Sequence, residues 1–394
     1  MSLKISKKIH QAISSSIYLP KESKLKRLPR APSRPRNKNF WKGFEDKALI
    51  YDIFWHQDEQ QILLVCPPPM NLLEHWQQAK FKALPSNEIL DSEQFILRST
   101  MTIALKNAPK NTKQIEIDFA DNIFIVNIQP NMSEQFEDSR LLFTMNKDNP
   151  LSWIKEWATY YQTMHNANAI LFFDNGSSIY ELSEIEQTLA SVKGIENICV
   201  IAINHKYGPH DKAVFFYRFW ANFLQLSSFS IMFRRFGAKA DAILNADIDE
   251  FVDPIENSNV FNEAKKSKDG LFLLNGIWVE GITEPEVKQD LPLHDAYRHV
   301  RKDFRSKLNA NKWSLDPSRD WLKNLNIHPA VHKIRNAPKT ISKTAPKGLF
   351  WHFKGINTNW KVNRTKADKL AFMLYKPTQL KTLFDKFLVS KSAK

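Results

Sequence analysis

Ile5, Ile9, Ile13 and Ile17 recur at every fourth position near the start of the chain, beside Lys4, Lys7 and Lys8. That spacing predicts one apolar stripe on a helix. The next segment, "PKESKLKRLPRAPSRPRNK", is basic and broken by prolines, and reads as an extended linker. Between Phe40 and about Gln135 the rhythm shortens. "QQILLVC" is stopped by three prolines, "QFILRSTMTIAL" and "KQIEIDF" alternate with period two, and "NIFIVNIQP" ends at a proline. These are strand signals, and they predict a small β-rich unit, of sandwich type.

After Ser139 strands and helices alternate. "RLLFTMNK" is a strand, "NPLSWIKEWATYYQTMHNA" a helix opening at Pro150, and "AILFFDNGS" a buried strand ending in turn residues. "IYELSEIEQTLASVKG" is a helix stopped at Gly194, and "NICVIAINH" is a strand. "DKAVFFYRFWANFLQLSSFSIMFRRFG" reads as an aromatic-rich, core-facing helix before the strand "ADAILNADIDEFV". This order predicts an α/β fold with a mostly parallel sheet. The organisation expected is a basic tail over 1–39, a β-rich accessory domain over 40–138, an α/β domain over 139–365 and a basic helical segment over 366–394. The last segment carries Leu380, Leu383, Phe384, Phe387 and Leu388 on an apolar face for packing.

Composition narrows the partners. A net charge of +14 favours anionic ones. No RNA- or DNA-binding motif accompanies it, so nucleic acid is not expected. The tail suits an anionic membrane surface. Cys66 and Cys199 are the only cysteines and sit in apolar runs, as core residues of a reducing compartment do. The N-terminus lacks a signal-peptide pattern and no apolar run is long enough to span a bilayer. A cytoplasmic protein, peripheral on the inner face of the cytoplasmic membrane, is the expectation.

Ligands of parallel α/β sheets bind at the carboxyl ends of the strands. There the chain places Asp247 and Asp249, two residues apart. On a strand that spacing aims both carboxylates at one face, where they repel unless a cation lies between them. Mn²⁺ or Mg²⁺ fits such oxygen ligands. Asp174 ends another strand, where it accepts hydrogen bonds from a nucleoside or closes its own turn.

"TMNKDNPLSWIKEWATYYQTMHNANAILFFDNGS", "NADIDEFV" and "WHFKGINTNWKVNR" together resemble the bacterial glycosyltransferases of families 2 and 92, over about Ser139 to Arg364. The resemblance implies a GT-A fold, a nucleotide-sugar donor, a Mn²⁺ or Mg²⁺ ion and inversion at the transferred sugar. It implies that Asp247 and Asp249 are the D-x-D, with His352 as third metal ligand. Asp174 and Asn175, with Thr144 and Asn146 beside them, fall at the donor nucleoside. The basic residues Lys333, Arg335, Lys361 and Arg364 could neutralise its diphosphate. Attack by an acceptor hydroxyl needs a carboxylate base. "LFLLNGIWVEGITEPE" supplies Glu280 as first choice and Glu284 as second, with Trp278 to stack on an acceptor sugar. Where family 92 members usually carry W-x-x-F-G, this chain has W-V-E-G-I. The expected activity is hexosyl transfer to a glycan or lipid-linked acceptor in capsule or lipopolysaccharide synthesis. A sugar nucleotidyltransferase, which would carry a Gly-rich phosphate loop absent from "TMNKDNP", and a non-catalytic sugar-binding protein of the same fold are the alternatives.

Overall fold

The computed structural model describes residues 7–283, 291–358 and 373–392. Its centre is a nine-stranded sheet. In chain order the strands are β1 (Lys8–His10), β2 (Arg140–Asn146), β3 (Ala169–Asp174), β4 (Asn197–Ala202), β5 (Ala242–Asn245), β6 (Glu250–Val252), β7 (Leu271–Val279), β8 (Lys307–Leu315) and β9 (Gly348–Phe353). They lie side by side as β1-β4-β3-β2-β5-β8-β7-β9-β6. The first five in that order pair in parallel. β8 is antiparallel to both β5 and β7, β9 is parallel to β7, and β6 is antiparallel to β9. The chain is therefore an α/β protein with a mixed, mostly parallel sheet.

The strands of the parallel half are apolar on both sides because helices cover both faces. On one face α1 (Leu151–His165) and α2 (Leu182–Ala190) bury Trp157, Tyr161, Ile185 and Leu189 against Leu142, Ile170 and Ile198. Asn166 closes α1 in the left-handed conformation, at φ 58°. The C-terminal helix α5 (Thr378–Ser392) joins this core through Leu380, Leu383, Phe384 and Phe387. On the other face α3 (Phe223–Ile231) lies over Phe143, Phe173 and Ile201, together with Phe40, Phe44 and Ala104 from the front of the chain. α4 (Val260–Lys266) packs beside β5, β7 and β8.

The front of the chain holds two larger antiparallel sheets beside the two-stranded pairing of Ile17–Tyr18 with Ala48–Ile50. One has Asp52–Trp55, Ile62–Cys66, Met101–Leu105 and Ser92–Ile96 side by side; the other has Asn122–Asn127, Gln114–Phe119 and Lys80–Leu84. They share a core that includes Ile53, Leu64, Ile103, Phe81 and Ile117. "QFILRSTMTIAL" is two strands of a hairpin, not one. Cys66 and Cys199 are free and buried. Among the described residues no helix is long and apolar enough to cross a membrane.

Three expectations are corrected. The isoleucine stripe does not lie on a helix among its described residues: Lys8–His10 is the edge strand beside β4, and Ile17–Tyr18 pairs with Ala48–Ile50. Ile5 lies outside the described residues. β-branched isoleucines suit strands, and sheet pairing overrides a four-residue period with so little apolar surface behind it. The basic, proline-broken segment is not a free linker. Arg27 is fully buried, and its guanidinium donates to Pro68 O at 2.7 Å and Glu45 O at 3.0 Å. The expected helix from Asp211 begins only at Phe223; residues 211–222 are turns.

Deep burial sets one acid sensitivity. His165 is fully buried with Nε2 2.9 Å from Val252 O, and burial pushes its pKa down to about 4. The unfolded chain protonates this ring near 6.5 and the folded chain does not, so stability falls as pH falls from about 6.5 to about 4. Lowering the pH to 5.5 should cost about 1.4 kcal/mol through this one group. His165→Gln keeps an N–H for Val252 O but does not titrate. The urea-unfolding gap between wild type and this variant should narrow by that amount between pH 7.5 and 5.5. An unchanged gap would count against it.

Candidate active site

β5 ends at Asn245, whose side chain is pinned to Val331 O at 2.7 Å, and β6 starts at Glu250. Asp247 and Asp249 therefore sit on the turn between the two strands. Their placement comes from that turn and not from the period of a strand. Glu250 N donates to Asp247 O at 3.0 Å, and Asp247 N donates to Glu250 Oε2 at 2.9 Å. The turn is thus closed by its own third acid.

Behind the turn lies a buried clamp. Glu156 of α1 accepts from the backbone N–H of His294 at 2.9 Å and meets its Nδ1 at 2.7 Å. The far nitrogen of His294, Nε2, is 2.8 Å from Ile248 O, between the two aspartates. A carbonyl cannot donate, so Nε2 carries a proton. Phe251 stacks on the imidazole at 4.1 Å. Burial pushes Glu156 up, but the hydrogen bonds and charge of His294 more than reverse it and leave the carboxyl below its usual range.

β9 crosses beside β6, so His352 pairs with Glu250 across one neighbour and with Trp278 across the other. His352 Nε2 lies 2.9 Å from Asp249 Oδ2, and Nδ1 lies 3.4 Å from Glu250 Oε1. One ligand atom from each of Asp249, Glu250 and His352 falls within 4.8 Å of the others. Two carboxylates and an imidazole form a donor set that suits Mn²⁺ or Mg²⁺, Mn²⁺ the better because of the nitrogen. Asp247 faces another way, toward Lys312 of β8, at 2.9 Å. Lys312 Nζ is also 2.9 Å from Glu250 Oε2. Burial lowers the Lys312 pKa, but Asp247 and Glu250 more than offset this and hold it above the usual lysine value. Burial also lifts Glu250 to about 7, against the pull of Lys312 and with a further push from Asp247.

The acidic turn forms one wall of a crevice of about 180 Å³. Asn146, Asn175, Tyr207, Asp247, Asp249 and His352 line it, so the predicted ends of β2, β3 and β5 do converge. Asn175 Nδ2 donates to Ile203 O and His205 O, tying the end of β3 to the segment after β4. Lys147 Nζ donates to Asn175 O and Gly176 O, each at 3.0 Å. Asp174 is not on the wall. It accepts from Asn146 Nδ2 at 2.7 Å, Ser177 Oγ at 2.6 Å and Ser177 N at 2.8 Å, which is the turn-closing arrangement. Thr144 is buried one same-face step below Asn146, with its hydroxyl unpartnered among the described residues.

Lys333 and Arg335 line a second, larger recess of about 770 Å³, which shares Gln225 with the crevice. Trp278 packs on the His352 ring at 4.1 Å. Glu280 is buried, with Oε1 2.6 Å from Lys354 Nζ. The pair lies just past the ends of β7 and β9, one residue after Val279 and Phe353, and neither residue lines the crevice. Glu284, Lys361 and Arg364 lie outside the described residues. The sequence reading missed Lys312, Glu156 and His294. A buried-face glutamate in "WIKEWATYY" was a visible signal for the clamp; Lys312, one of 56 basic residues, had none.

No family model matches the chain, and no curated protein does. Among solved structures it is similar to the galactosyltransferase LgtC in complex with donor and acceptor sugar analogues, and to an active-site mutant of LgtC. Each is 18% identical, with a TM-score of 0.25, over 47% of this chain and 60% and 59% of those chains. It is also similar to the apo bifunctional glycosyltransferase WbbM, at 9% identity and a TM-score of 0.25, over 52% of this chain and 35% of that one. The matched part thus spans about three-fifths of the LgtC chains and about one-third of WbbM.

Proposed function

We propose that this protein is a metal-dependent glycosyltransferase with a GT-A-type α/β domain. It moves a hexosyl group, with inversion, from a nucleotide-sugar donor to a hydroxyl of a glycan or lipid-linked acceptor. Bacterial surface polysaccharide is the product class that fits the family resemblance. The observation that carries the reading is the meeting of Asp249, Glu250 and His352 at the strand ends, with Asp249 and His352 on the wall of the crevice and Glu250 buried behind them.

These three residues would hold Mn²⁺ or Mg²⁺, which when bound supplies Lewis-acid neutralisation of the donor diphosphate. The remaining roles belong to the chain's own groups. Asn146 and Asn175 present polar edges to the donor nucleoside, with Asp174 holding Asn146 in place. Lys312 neutralises Asp247 and Glu250 from behind, so the acidic turn stays folded. Lys333 and Arg335 give the adjoining recess positive charge for anionic parts of donor or acceptor. Glu280 accepts the proton of the attacking hydroxyl, its carboxylate held by Lys354.

Two experiments test this. A panel of nucleotide sugars, screened for Mn²⁺-dependent hydrolysis and thermal stabilisation, should give a response that Asp249→Ala lacks. The absence of any metal-dependent nucleotide response in wild type would sink the proposal. With the donor in hand, Glu280→Gln should lower kcat at least about a hundredfold, the lower end for loss of a general base. Near-wild-type transfer by Glu280→Gln would remove Glu280 as the base and leave the rest standing.

A further inference from the structure

The turns of residues 211–222 carry the most exposed aromatic side chains among the described residues. Phe215 and Phe216 are 79% and 80% exposed and touch each other edge-on at 4.8 Å. Tyr217 and Phe219 are each 51% exposed. Such rings belong in a core unless something else covers them.

The loop is built to present them. Its base is pinned by Asp211, which is fully buried. Asp211 N bonds Arg218 O at 2.8 Å, and Oδ2 accepts from Trp220 Nε1 at 2.9 Å and from Arg36 at 3.2 Å. Phe219 lies stacked on His210 at 4.8 Å. The basic, proline-broken segment packs here, and Arg34 donates to Ala213 O at 3.1 Å.

The surroundings are cationic. Arg98 lies 4.2 Å from the centre of the Tyr217 ring. Arg335, Lys333 and Arg98 together hold the Tyr217 phenol below its ordinary pKa. The loop itself adds Lys212 and Arg218. Its only acid, Asp211, is taken up by Arg36.

We propose that the 211–219 loop is a membrane-docking element that inserts Phe215 and Phe216 into an anionic lipid surface. Bare phenyl rings on a loop that carries Lys212 and Arg218, has Arg98 over Tyr217 and holds no acid but the buried Asp211 match the charge and polarity of an anionic bilayer interface. Tyr217 and Gln225 both line the larger recess, and Gln225 also lines the crevice, so the docked face opens beside the candidate active site. That geometry would admit a lipid-borne acceptor from the membrane side. This last step rests on the glycosyltransferase reading; the docking itself does not.

The test is co-sedimentation of the full chain with vesicles, without donor or metal. Wild type should bind phosphatidylglycerol/phosphatidylethanolamine vesicles at least about tenfold better than phosphatidylcholine vesicles, and 0.5 M salt should weaken binding. The Phe215→Ser/Phe216→Ser variant should lose at least about tenfold in binding with an unchanged melting temperature, because both rings are exposed. The proposal is overturned by equal binding to neutral vesicles or by full binding of the double variant. It is also overturned by a wild-type dimer that dissolves in the double variant, which would make a second copy the occupant. A failed donor screen with intact vesicle binding would reject the enzyme reading alone.

Discussion

Asp249→Ala is expected to remove the metal response and to lower transfer about a thousandfold, the scale of losing a dominant charge-stabilising interaction. Among the described residues Asp249 is one of the three groups whose ligand atoms converge, and on the crevice wall its carboxylate lies 2.9 Å from His352. Its partner in the D-x-D provides the control. Asp247 lines the crevice too, but its carboxylate is engaged by Lys312. Asp247→Ala should therefore weaken Mn²⁺ binding less than Asp249→Ala does. Mn²⁺ titration by calorimetry, with and without donor nucleotide, separates the two. Equal losses would mean that both aspartates ligate, as the family resemblance implies. A full metal response in Asp249→Ala would exclude the site.

Lys312→Met should cost about 3–5 kcal/mol of folding stability, the range for removing one partner of a buried ion pair. The lysine is 1% exposed and meets two carboxylates, each at 2.9 Å. Without it Glu250 is left buried and Asp247 half-exposed, both without their cation. Adding Glu250→Gln to Lys312→Met should recover part of the loss, since the uncompensated buried charge is gone. Urea unfolding of the two single variants and the double measures the coupling. Additive losses would show that the three groups do not act as a unit.

The parts of the site legible in the sequence were those fixed by local pattern. Apolar runs that stop at "DN" and "NADIDE" mark strand ends, and an α/β order makes strand ends a ligand face. His352 could be placed only through resemblance, because β9 comes a hundred residues after the acidic turn and its register is a long-range fact. Lys312 was illegible for the same reason. β8 runs antiparallel to β5, and nothing in "KLNANKWSL" says which basic side chain turns inward. The strand rule placed Asp247 and Asp249 by a two-residue period, whereas they sit on a turn that sends one to Lys312 and the other to His352 while both line the crevice. The aromatic run before α3 misled in the opposite direction. Hydrophobicity forecast burial, and the structure holds Phe215 and Phe216 out in solvent.

The pairing of β1 with β4 sets a timetable for synthesis. Lys8–His10 can take its place only when Asn197–Cys199 has been made. At 5–20 residues per second that is roughly ten to forty seconds after β1 leaves the ribosome. The oldest strand of the sheet thus waits until the fourth has been made, and until it docks the outer rim of β4 stands open to other chains. A bulky fusion placed ahead of Lys8 would act on that delayed pairing, and its cost would show as aggregation during expression rather than as lost stability in the finished protein.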